Sequence, residues 1–378
     1  MTSPYQICSN CVMDTTDPQI YFDEKGLCNH CCNFERNYRP NWFPNKEGVR
    51  LLQKKIQEIK AHGKGKKYDC IIGLSGGVDS SYLALKIKDF GLRPLVIHVD
   101  AGWNSEIAVK NIECIVKYCN YDLVTHVINW EDMKQLQLAY LRSGIANQDI
   151  PQDHIFFSAL YHFAVENDIR YVLTGSNIVS ESIMPKAWMS DAMDSKNLNA
   201  IFKRFGHGKL QDYKTISFLR YYFYYPFIRR MKVVKPLDYL PYNKKEAILE
   251  LEEKIGWRSY GEKHCESVFT KFFQNYFLPV RFNYDKRKPH FSSLILSGQM
   301  TRGEALKKLK EPLYYEKELC QDKLYIAKKL GLSLGEFEVL MKIEVHHFSD
   351  FPSNYKKYIY MKKIQAVIEK YFGKIGNY

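Results

Sequence analysis

The chain has 378 residues, of which 46% are hydrophobic and 26% are charged, as in folded globular proteins and unlike disordered or fibrous chains. Its length predicts one main core with one or two smaller units. The net charge of +13 favours polyanionic partners such as nucleotides, nucleotide-sugars, RNA or acidic proteins, although a basic surface can also be merely solvated. No apolar run reaches the roughly 18 residues needed to span a bilayer, so membrane insertion is not expected.

Cysteine usage predicts a metal site near the N terminus. The first four residues do not resemble the start of an export signal, so we expect a cytoplasmic protein whose 10 cysteines are reduced. Two Cys-x-x-Cys pairs occur, Cys8 with Cys11 and Cys28 with Cys31. Their separation is that of a structural zinc site, in which four thiolates complete the coordination of Zn²⁺ and support folding. His30 or Cys32 as a replacement ligand, and an iron–sulfur centre in place of zinc, remain alternatives.

The elements in chain order indicate three regions. Residues 1–45 lack sustained periodicity and form the expected zinc-binding unit. Residues 46–235 form an α/β domain that begins with a helix at 46–60 and a glycine-lysine linker at 63–67. Residues 236–378 form a C-terminal helical region, and its predicted helices lie at 244–254, 302–309 and 358–371.

Alternating strands and helices predict an α/β fold with a doubly wound parallel sheet. Strands are expected at 69–74, 95–99, 123–128 and 171–174, and helices at 79–89, 105–118, 131–141 and 153–166. Ligands bind such sheets outside the carboxyl ends of the strands, so residues just after each strand are candidates for a site. The aromatic stretch 218–228 is interpreted as a buried helix, with a surface-binding patch as the alternative.

A glycine-rich loop joins the first strand to the following helix. Its sequence is Ser75-Gly-Gly-Val-Asp-Ser-Ser81. Gly76 and Gly77 allow backbone N–H groups to converge on an anion at the helix N terminus, and Ser75, Ser80 and Ser81 supply hydroxyl groups. Asp79 is expected to hold Mg²⁺ or to cap the helix. The loop has no lysine and therefore is not a Walker A motif.

Two further strand ends carry candidate residues. Asp100 follows the second strand and is a candidate to contact Mg²⁺, ribose or substrate, and Trp103 either stacks on a ligand ring or belongs to a simple turn. Gly175 and Asn177 lie in a Thr-Gly-Ser-Asn loop that is either a second ligand loop or an ordinary turn.

The glycine-rich loop resembles the pyrophosphate-binding loop of the ATP-pyrophosphatase (PP-loop, adenine nucleotide alpha hydrolase-like) superfamily. Several motifs together resemble the N-acetyl sugar amidotransferases of the WbpG and PseA type, and the resemblance extends along nearly the whole chain. They are Asp-Ala-Gly-Trp-Asn at 100–104, Asp-Ile-Pro-Gln-Asp-His at 149–154, Thr-Gly-Ser-Asn at 174–177 followed by Glu181, Lys-His-Cys-Glu-Ser-Val-Phe-Thr at 263–270, and Tyr-Asp-Lys-Arg at 284–287.

This resemblance implies that residues 46–235 are a PP-loop ATP-pyrophosphatase domain. It implies a C–N ligase that uses ATP and Mg²⁺ to convert the acetamido group of a nucleotide-linked N-acetyl sugar to an acetamidino group through an O-adenylyl intermediate. The pathway implied is the biosynthesis of lipopolysaccharide O-antigen or of flagellin sugars.

The resemblance also suggests roles for individual residues. The loop residues Ser75, Gly76, Gly77, Asp79, Ser80 and Ser81 would bind pyrophosphate and Mg²⁺, and Gly175 and Asn177 would bind the adenylate. Asp149, Asp153, His154 and Glu181 are candidates for the amide or ammonia end of the reaction. His154 is a general base or a structural histidine on this interpretation, and Lys286 and Arg287 either clamp phosphate or are solvated.

The ammonia source and two alternative functions remain open at this stage. The sequence has no recognisable glutaminase of its own, so the resemblance implies a separate glutaminase similar to the histidine-pathway amidotransferase, with or without a cyclase-like companion. One alternative is a tRNA-modifying PP-loop enzyme of the thiolation type. The other is a basic, zinc-containing nucleic-acid-binding protein. Isolated cysteines and the intact loop disfavour these two readings, so nucleic acid is not the expected partner.

Overall fold

The computed structural model describes residues 4–188, 190–259 and 266–372, and residues 369–372 through their backbone only. Its centre is a parallel sheet of five strands: β1 (Cys70–Gly73), β2 (Pro94–Asp100), β3 (Asp122–Val127), β4 (Tyr171–Leu173) and β5 (Lys232–Val234). The strand order is β3-β2-β1-β4-β5. Because the order reverses at β1, the carboxyl ends of β1 and β4 meet at the point where such sheets bind ligands.

Sixteen α-helices accompany the sheet in the described ranges. They are α1 (Asn29–Asn33), α2 (Lys46–His62), α3 (Val78–Asp89), α4 (Glu106–Cys119), α5 (Trp130–Ser143), α6 (Ile150–Glu166), α7 (Ile178–Glu181), α8 (Ser195–Phe205), α9 (Lys244–Ile255), α10 (Val268–Phe272), α11 (Leu278–Phe282), α12 (Arg287–Leu296), α13 (Arg302–Lys308), α14 (Glu316–Leu330), α15 (Leu334–Leu340) and α16 (Tyr355–Phe372). Short 3₁₀ turns lie at Arg39–Asn41, Lys186–Trp188, Pro236–Asp238 and Phe348–Asp350, and π-helical segments at Phe34–Tyr38, Arg220–Ile228 and Phe273–Phe277.

Alternate residues of the central strands face two separate cores. Ile72 of β1 packs with α2, α3, α4 and α9 on one face of the sheet. Ile71 packs with α5, α6, α8 and the segment Arg220–Ile228 on the other. This is the side-chain alternation of a strand, and it places helices on both faces. The predicted doubly wound α/β fold is therefore confirmed.

Two smaller apolar clusters extend the structure. One joins Trp103 to the C-terminal helices α10, α11, α14 and α15 through Phe269, Phe272 and Phe337. The other surrounds the four N-terminal cysteines and includes Ile178, Ile183 and Leu296. Because Ile178 and Ile183 lie just after β4, the cysteine-rich segment packs directly behind a loop of the sheet.

Two features differ from the sequence-based expectations. β5 was not predicted, because three residues between two aromatic and proline-rich segments carry almost no periodic signal. The segment Arg220–Ile228 is helical, as expected, but only Tyr225 is buried in it, while Phe223, Phe227 and Ile228 are exposed. The buried-helix interpretation is therefore wrong for most of this segment. Among the described residues, no helix is long and apolar enough to cross a membrane.

Candidate functional site

The glycine-rich loop leaves β1 and enters α3 at the reversal point of the sheet. Gly76 has a φ of +81°, and a Cβ built on it would lie 2.5 Å from the carbonyl oxygen of Ala108. The Gly76 carbonyl accepts hydrogen bonds from Trp257 Nε1 at 3.2 Å and Asn111 Nδ2 at 3.4 Å. Only glycine therefore fits this position, and two side chains hold its backbone in place.

Serine hydroxyls shape the inside of the loop. Ser75 Oγ lies 3.1 Å from Ser80 Oγ and accepts from the Gly77 N–H at 3.3 Å. No side chain caps the N terminus of α3, where Gly77 is the N-cap residue. The first-turn N–H groups of an α-helix have no partner within the helix, so those of α3 are oriented to receive an anion. Ser81 is fully buried behind the loop.

Asp79 lies in the first turn of α3, where two other parts of the chain approach it. Its Oδ1 accepts a hydrogen bond from Asn177 Nδ2 at 3.2 Å and another, very short, from the Tyr242 hydroxyl. A Cβ built on Gly175 would lie 2.8 Å from the Asp79 carbonyl carbon. The loops after β1 and β4 therefore meet in direct contact, and the Asp79 carboxylate is held by Asn177 of the loop after β4 and by Tyr242, which lies just before α9.

A large cavity opens beside this junction. Its volume is about 1050 Å³, and its walls include Ser75 of the loop, Thr174 after β4, and Asp149, Asp153, Glu181 and Lys286. Several more lysines border it, namely Lys235, Lys244, Lys245 and Lys308. The cavity thus brings the glycine-rich loop together with carboxylate and cationic side chains, and its volume is at the upper end for small-molecule sites.

Two carboxylates at the start of α6 form the acidic wall of the cavity. Asp149 is buried, and its Oδ1 accepts from Gln152 Nε2 at 3.0 Å and Thr270 Oγ1 at 3.1 Å. Burial, followed by the charge of Asp153, raises the pKa of Asp149 well above its usual range. Burial also raises the pKa of Asp153 to about 6, against the opposing charge of Lys286. Such a pair can hold and release a proton near neutral pH.

The end of β2 is a hydrogen-bonded turn. Asp100 Oδ1 accepts from the Gly102 N–H at 2.8 Å and from Asn104 Nδ2 at 3.1 Å. Trp103 is buried against Trp130 and Phe269. The structure therefore places Trp103 in a core, so the interpretation as a ligand-stacking ring is wrong, and Asp100 is held within the turn instead of lining the cavity.

His154 has a structural environment. It is fully buried, its Nδ1 lies 2.7 Å from the Ala192 carbonyl oxygen, and its Nε2 accepts from the Ile216 N–H at 3.0 Å. Burial lowers the pKa of this imidazole. Backbone groups therefore occupy both ring nitrogens of a neutral tautomer, and the structure does not place His154 with the carboxylates at the cavity wall.

Lys286 and Arg287 differ although they are adjacent. Lys286 lines the cavity close enough to oppose the raised pKa values of Asp149 and Asp153. The Arg287 guanidinium binds Asp285, with Nη2 to Oδ2 at 2.8 Å, and donates to the Glu311 carbonyl at 2.9 Å. Arg287 also lines the cavity, but its guanidinium is engaged by these protein groups, and its expected role as a phosphate clamp stays a prediction.

The four N-terminal cysteines converge on one point. Their sulfur atoms lie within 4.8 Å of one another, with Cys8–Cys31 at 3.8 Å, Cys11–Cys28 at 3.6 Å and Cys28–Cys31 at 3.7 Å. Four sulfurs that each lie about 2.3 Å from one tetrahedral ion are about 3.8 Å apart, so this arrangement fits a single metal ion. The alternative ligand His30 is bound to Asp17 at 2.7 Å instead.

The cysteine cluster is attached to the wall of the cavity. Arg302 donates to the Cys8 carbonyl at 2.8 Å and to the Cys11 carbonyl at 3.1 Å, and Lys288 pairs with Asp14 at 2.5 Å. Lys288 belongs to α12, which begins immediately after the cavity residue Lys286. The cysteine-rich segment therefore stabilises a helix that positions part of the site.

Three residues of the site were not singled out from the sequence. His98 lines the cavity, and its Nδ1 lies 3.0 Å from the Leu74 carbonyl oxygen, just before the glycine-rich loop. Tyr242 contacts Asp79, and the Asp238 carboxylate accepts from the Ile178 N–H at 2.7 Å. Burial raises the pKa of Asp238 to about 6. Of the motif at 263–270, residues 263–265 lie outside the described residues, and Glu266, Ser267 and Thr270 line the cavity.

The strand order and the glycine-rich loop are those of an α/β protein with the ATP-pyrophosphatase (PP-loop) fold. Residues 266–365 match the family described as LPS biosynthesis protein WbpG-like, C-terminal domain. The predicted resemblance to the WbpG type is thereby confirmed in the C-terminal part of the chain.

Curated relatives match shorter segments. The chain is 34% identical over 122 residues to an uncharacterized protein of Methanocaldococcus jannaschii, MJ1599. The matched region is 31% of this chain and 41% of that protein. It is 31% identical over 113 residues to tRNA-specific 2-thiouridylase MnmA 2 of Fusobacterium nucleatum, covering 28% of this chain and 32% of the relative. The chain therefore spans less than half the length of these relatives.

Solved structures with related folds cover more of the chain at lower identity. NMN synthetase from Francisella tularensis is 15% identical and covers 76% of this chain and 96% of its own, with a TM-score of 0.34. U34-tRNA thiolase NcsA from Methanococcus maripaludis with its [4Fe-4S] cluster is also 15% identical, with coverages of 83% and 95% and a TM-score of 0.35.

Proposed function

We propose that this chain is an ATP-dependent amidotransferase that converts the acetamido group of a nucleotide-linked N-acetyl sugar to an acetamidino group. The observation that carries the proposal is that Ser75 of the glycine-rich loop and the carboxylates of Asp149 and Asp153 line one cavity of about 1050 Å³. The match of residues 266–365 to the WbpG-like C-terminal domain supports the sugar pathway of lipopolysaccharide biosynthesis.

An amide is a poor electrophile, so the reaction needs activation by ATP. The amide oxygen attacks the α-phosphorus of ATP, pyrophosphate leaves, and an O-adenylyl imidate forms. Ammonia then adds to the imidate carbon, AMP leaves with the former amide oxygen, and the C–N bond of the amidine remains. The glycine-rich loop supports the first step, because N–H groups at the start of α3 bind the phosphates in line for displacement.

Asp79 is the residue we assign to Mg²⁺. Carboxylate oxygens are the ligands that Mg²⁺ prefers, and both hydrogen bonds on Asp79 end on Oδ1. Glu181 lines the cavity beside this junction and supplies a second carboxylate. Bound Mg²⁺ would offset the negative charge of the leaving pyrophosphate. Asn177 and Tyr242 orient the Asp79 carboxylate, and Gly175 allows the loop after β4, to which we assign the adenylate, to approach α3.

Asp149 and Asp153 are assigned to the nitrogen end of the reaction. Ammonium must lose a proton before its nitrogen can attack, and a carboxylate with a raised pKa near neutrality can accept that proton. Lys286, which lines the same wall, offsets charge on the phosphates or the sugar carrier. The ammonia donor in this proposal is a separate glutaminase similar to the histidine-pathway amidotransferase, with a cyclase-like companion where one is present.

Zn²⁺ is the ion that we assign to the four cysteines. The sulfur spacing suits one ion, whereas the thiolates of a four-iron cluster bind different iron atoms and are held further apart. The closed shell of four thiolates leaves no open position for chemistry, so the role is structural.

The domain division 1–45, 46–235 and 236–378 remains a proposal as well.

A thiolation function is the second candidate, because of the match to the tRNA-specific 2-thiouridylase over 113 residues. Sulfur transfer of that kind would use a reactive thiol beside the adenylate. Within the described parts of the chain, no cysteine lines the cavity. Cys265 lies outside the described residues and is the thiol to test. Amidotransfer needs no thiol, so Cys265→Ser is expected to retain the activity.

The proposed function is tested with a panel of UDP- and CMP-linked N-acetyl sugars, ATP, Mg²⁺ and ammonium. We expect AMP and pyrophosphate in equal amounts, and a sugar product about one dalton lighter because NH replaces oxygen. Both products should disappear in Asp79→Ala. Pyrophosphate release with tRNA, and with none of the sugars, would contradict amidotransfer and favour thiolation.

A further inference from the structure

Two segments of the chain expose apolar side chains next to each other. The first is the π-helical segment with its flanks, residues 217–232, where Leu219 is 69% exposed, Phe227 58% and Ile228 71%. The second is α16, where Tyr360 is 68% exposed and Val367 57%. We call residues 217–232 and 355–368 together the aromatic-basic surface.

Ring contacts join the two segments into one surface. The Tyr222 ring lies 5.6 Å from that of Tyr358 on α16 and 4.7 Å from that of Phe218. Phe223 continues the row, 6.4 Å from Phe218 and 6.3 Å from Phe227. The exposed side chains are therefore parts of neighbouring elements and not isolated surface residues, which by themselves would need no explanation.

The charge of the aromatic-basic surface has a single sign. Residues 217–232 contain four basic residues and residues 355–368 contain four more, and neither segment contains an acidic residue. The basic residues are Arg220, Arg229, Arg230, Lys232, Lys356, Lys357, Lys362 and Lys363. Arg229 pairs with Asp168 at 3.2 Å, whereas Arg230, Lys356 and Lys357 are exposed. An anionic partner is therefore favoured.

We infer that the aromatic-basic surface binds the surface of an anionic lipid membrane reversibly. Exposed apolar and aromatic side chains among lysines and arginines are typical of segments that lie in the lipid interface. Each basic residue near an anionic bilayer adds attraction, which screening by salt weakens. No described helix can cross a membrane, so the binding is to the surface.

RNA and a second copy of the chain fit this surface less well. RNA-binding surfaces use aromatic rings to stack on bases, but Leu219, Ile228, Ile364 and Val367 are aliphatic and cannot stack. A second copy would present the same positive charge, because a two-fold contact pairs identical surfaces. Acyl chains and anionic headgroups satisfy both the aliphatic and the basic side chains.

The test is cosedimentation of the full chain with vesicles of phosphatidylcholine alone and of phosphatidylcholine with 30% phosphatidylglycerol, about one-third anionic lipid, at low and high salt. We expect binding to the anionic vesicles only, weakened by salt. Phe227→Ser with Ile228→Ser, and separately Lys356→Gln with Lys357→Gln, should each reduce the apparent affinity at least about tenfold. The substituted side chains are exposed, so the variants should fold.

Matched controls distinguish binding by this surface from non-specific effects of the net positive charge and of exposed apolar side chains. Leu249→Ser with Val280→Ser removes two exposed apolar side chains elsewhere, and Lys307→Gln with Lys310→Gln removes two exposed charges outside the aromatic-basic surface. Both controls should bind as the unchanged chain does. Absence of vesicle binding, or equal loss in the controls, would overturn the inference. The inference would also be overturned if this surface bound tRNA but no vesicles. It would be overturned as well if light scattering showed a dimer that the Phe227→Ser with Ile228→Ser variant no longer forms.

This inference does not depend on the proposed amidotransferase function. The vesicle assay contains no ATP, sugar or ammonium, so its outcome and that of the activity assay are separate. A chain that transfers nitrogen without binding vesicles would refute only the surface assignment.

Discussion

The Tyr242 hydroxyl donates a hydrogen bond to Oδ1 of Asp79 across 163 residues of sequence. Burial and the nearby Asp79 charge raise the pKa of Tyr242 well above its usual range, so the phenol stays protonated and remains a donor. Asn177 donates to the same oxygen at 3.2 Å. The carboxylate that we assign to Mg²⁺ is therefore oriented by two residues of different loops.

Removal of the Tyr242 hydroxyl should weaken the use of Mg²⁺. Tyr242→Phe keeps the ring and deletes one hydrogen bond to a charged group, so the Mg²⁺ concentration for half-maximal pyrophosphate release should rise roughly tenfold. The midpoint of thermal unfolding should change little. Tyr82→Phe is the control, because its ring packs 5.4 Å from Tyr242. An unchanged Mg²⁺ dependence in Tyr242→Phe would refute the positioning role.

The glycine-rich loop should not tolerate a side chain at Gly76. Gly76→Ala combines a φ of +81° with a Cβ only 2.5 Å from the Ala108 carbonyl oxygen. We expect a loss of unfolding free energy on the order of 2 kcal/mol and a fall in pyrophosphate release of at least tenfold. Gly303→Ala, where the added Cβ meets no atom within 4 Å, is the matched control and should be neutral or slightly stabilising. Equal behaviour of the two variants would count against the loop geometry.

The pKa of Asp153 predicts opposite effects on stability and activity. Because its folded pKa is raised to about 6, folding is favoured by protonation, and this contribution is lost as the pH rises through 6. Asp153→Asn should therefore raise the unfolding free energy at pH 8 by on the order of 1 kcal/mol. The same substitution should lower activity.

The activity of the unchanged chain should fall as the pH drops through about 6, because protonated Asp153 cannot accept a proton from ammonium. The rate of Asp153→Asn should be low and lack this step. Asp122→Asn is the control, since the pKa of this exposed residue is lowered by Lys67 and Tyr68, and the substitution should not stabilise the chain. Destabilisation by Asp153→Asn at pH 8 would contradict the conclusion that burial of the Asp153 carboxylate raises its pKa and destabilises its charged form.

Loss of one cysteine ligand should release the metal and loosen the cavity wall. Cys28→Ser is expected to abolish binding of the zinc that we assign to this cluster, measured by elemental analysis, and to lower the midpoint of thermal unfolding. Amide hydrogen exchange in α12 should become faster, because Lys288 of α12 and Arg302 of α13 bind the cysteine segment, which loses its order with the metal. Cys32→Ser, adjacent to the cluster but outside it, should keep the metal. Iron with acid-labile sulfide in the purified protein would refute zinc.

The fold could be predicted from sequence where the signals are local. The buried runs that became β1 and β2 and the glycines at 76 and 77 lie in one contiguous stretch, so the strand, loop and helix followed directly. The cysteine spacing likewise predicted a cluster that the structure brings together. Three residues of β5 carried too little pattern to be recognised.

The site was harder to predict because its partners are distant in sequence. Nothing near Tyr242 indicates that its hydroxyl reaches Asp79, and nothing near Arg287 shows that Asp285 and the end of α13 occupy its guanidinium. The environment of His154 depends on backbone groups at 192 and 216. Residue type and spacing thus indicate candidates, but the tertiary contacts decide which groups each of them binds.

The most direct test follows the amide oxygen. An N-acetyl nucleotide-sugar labelled with ¹⁸O in the acetamido carbonyl is incubated with ATP, Mg²⁺ and ammonium, and AMP is analysed by mass spectrometry. Adenylation of that oxygen predicts AMP heavier by about two daltons and an amidine free of label, because the oxygen departs with the adenylate. Unlabelled AMP, or ADP and phosphate as the products, would contradict the proposed chemistry.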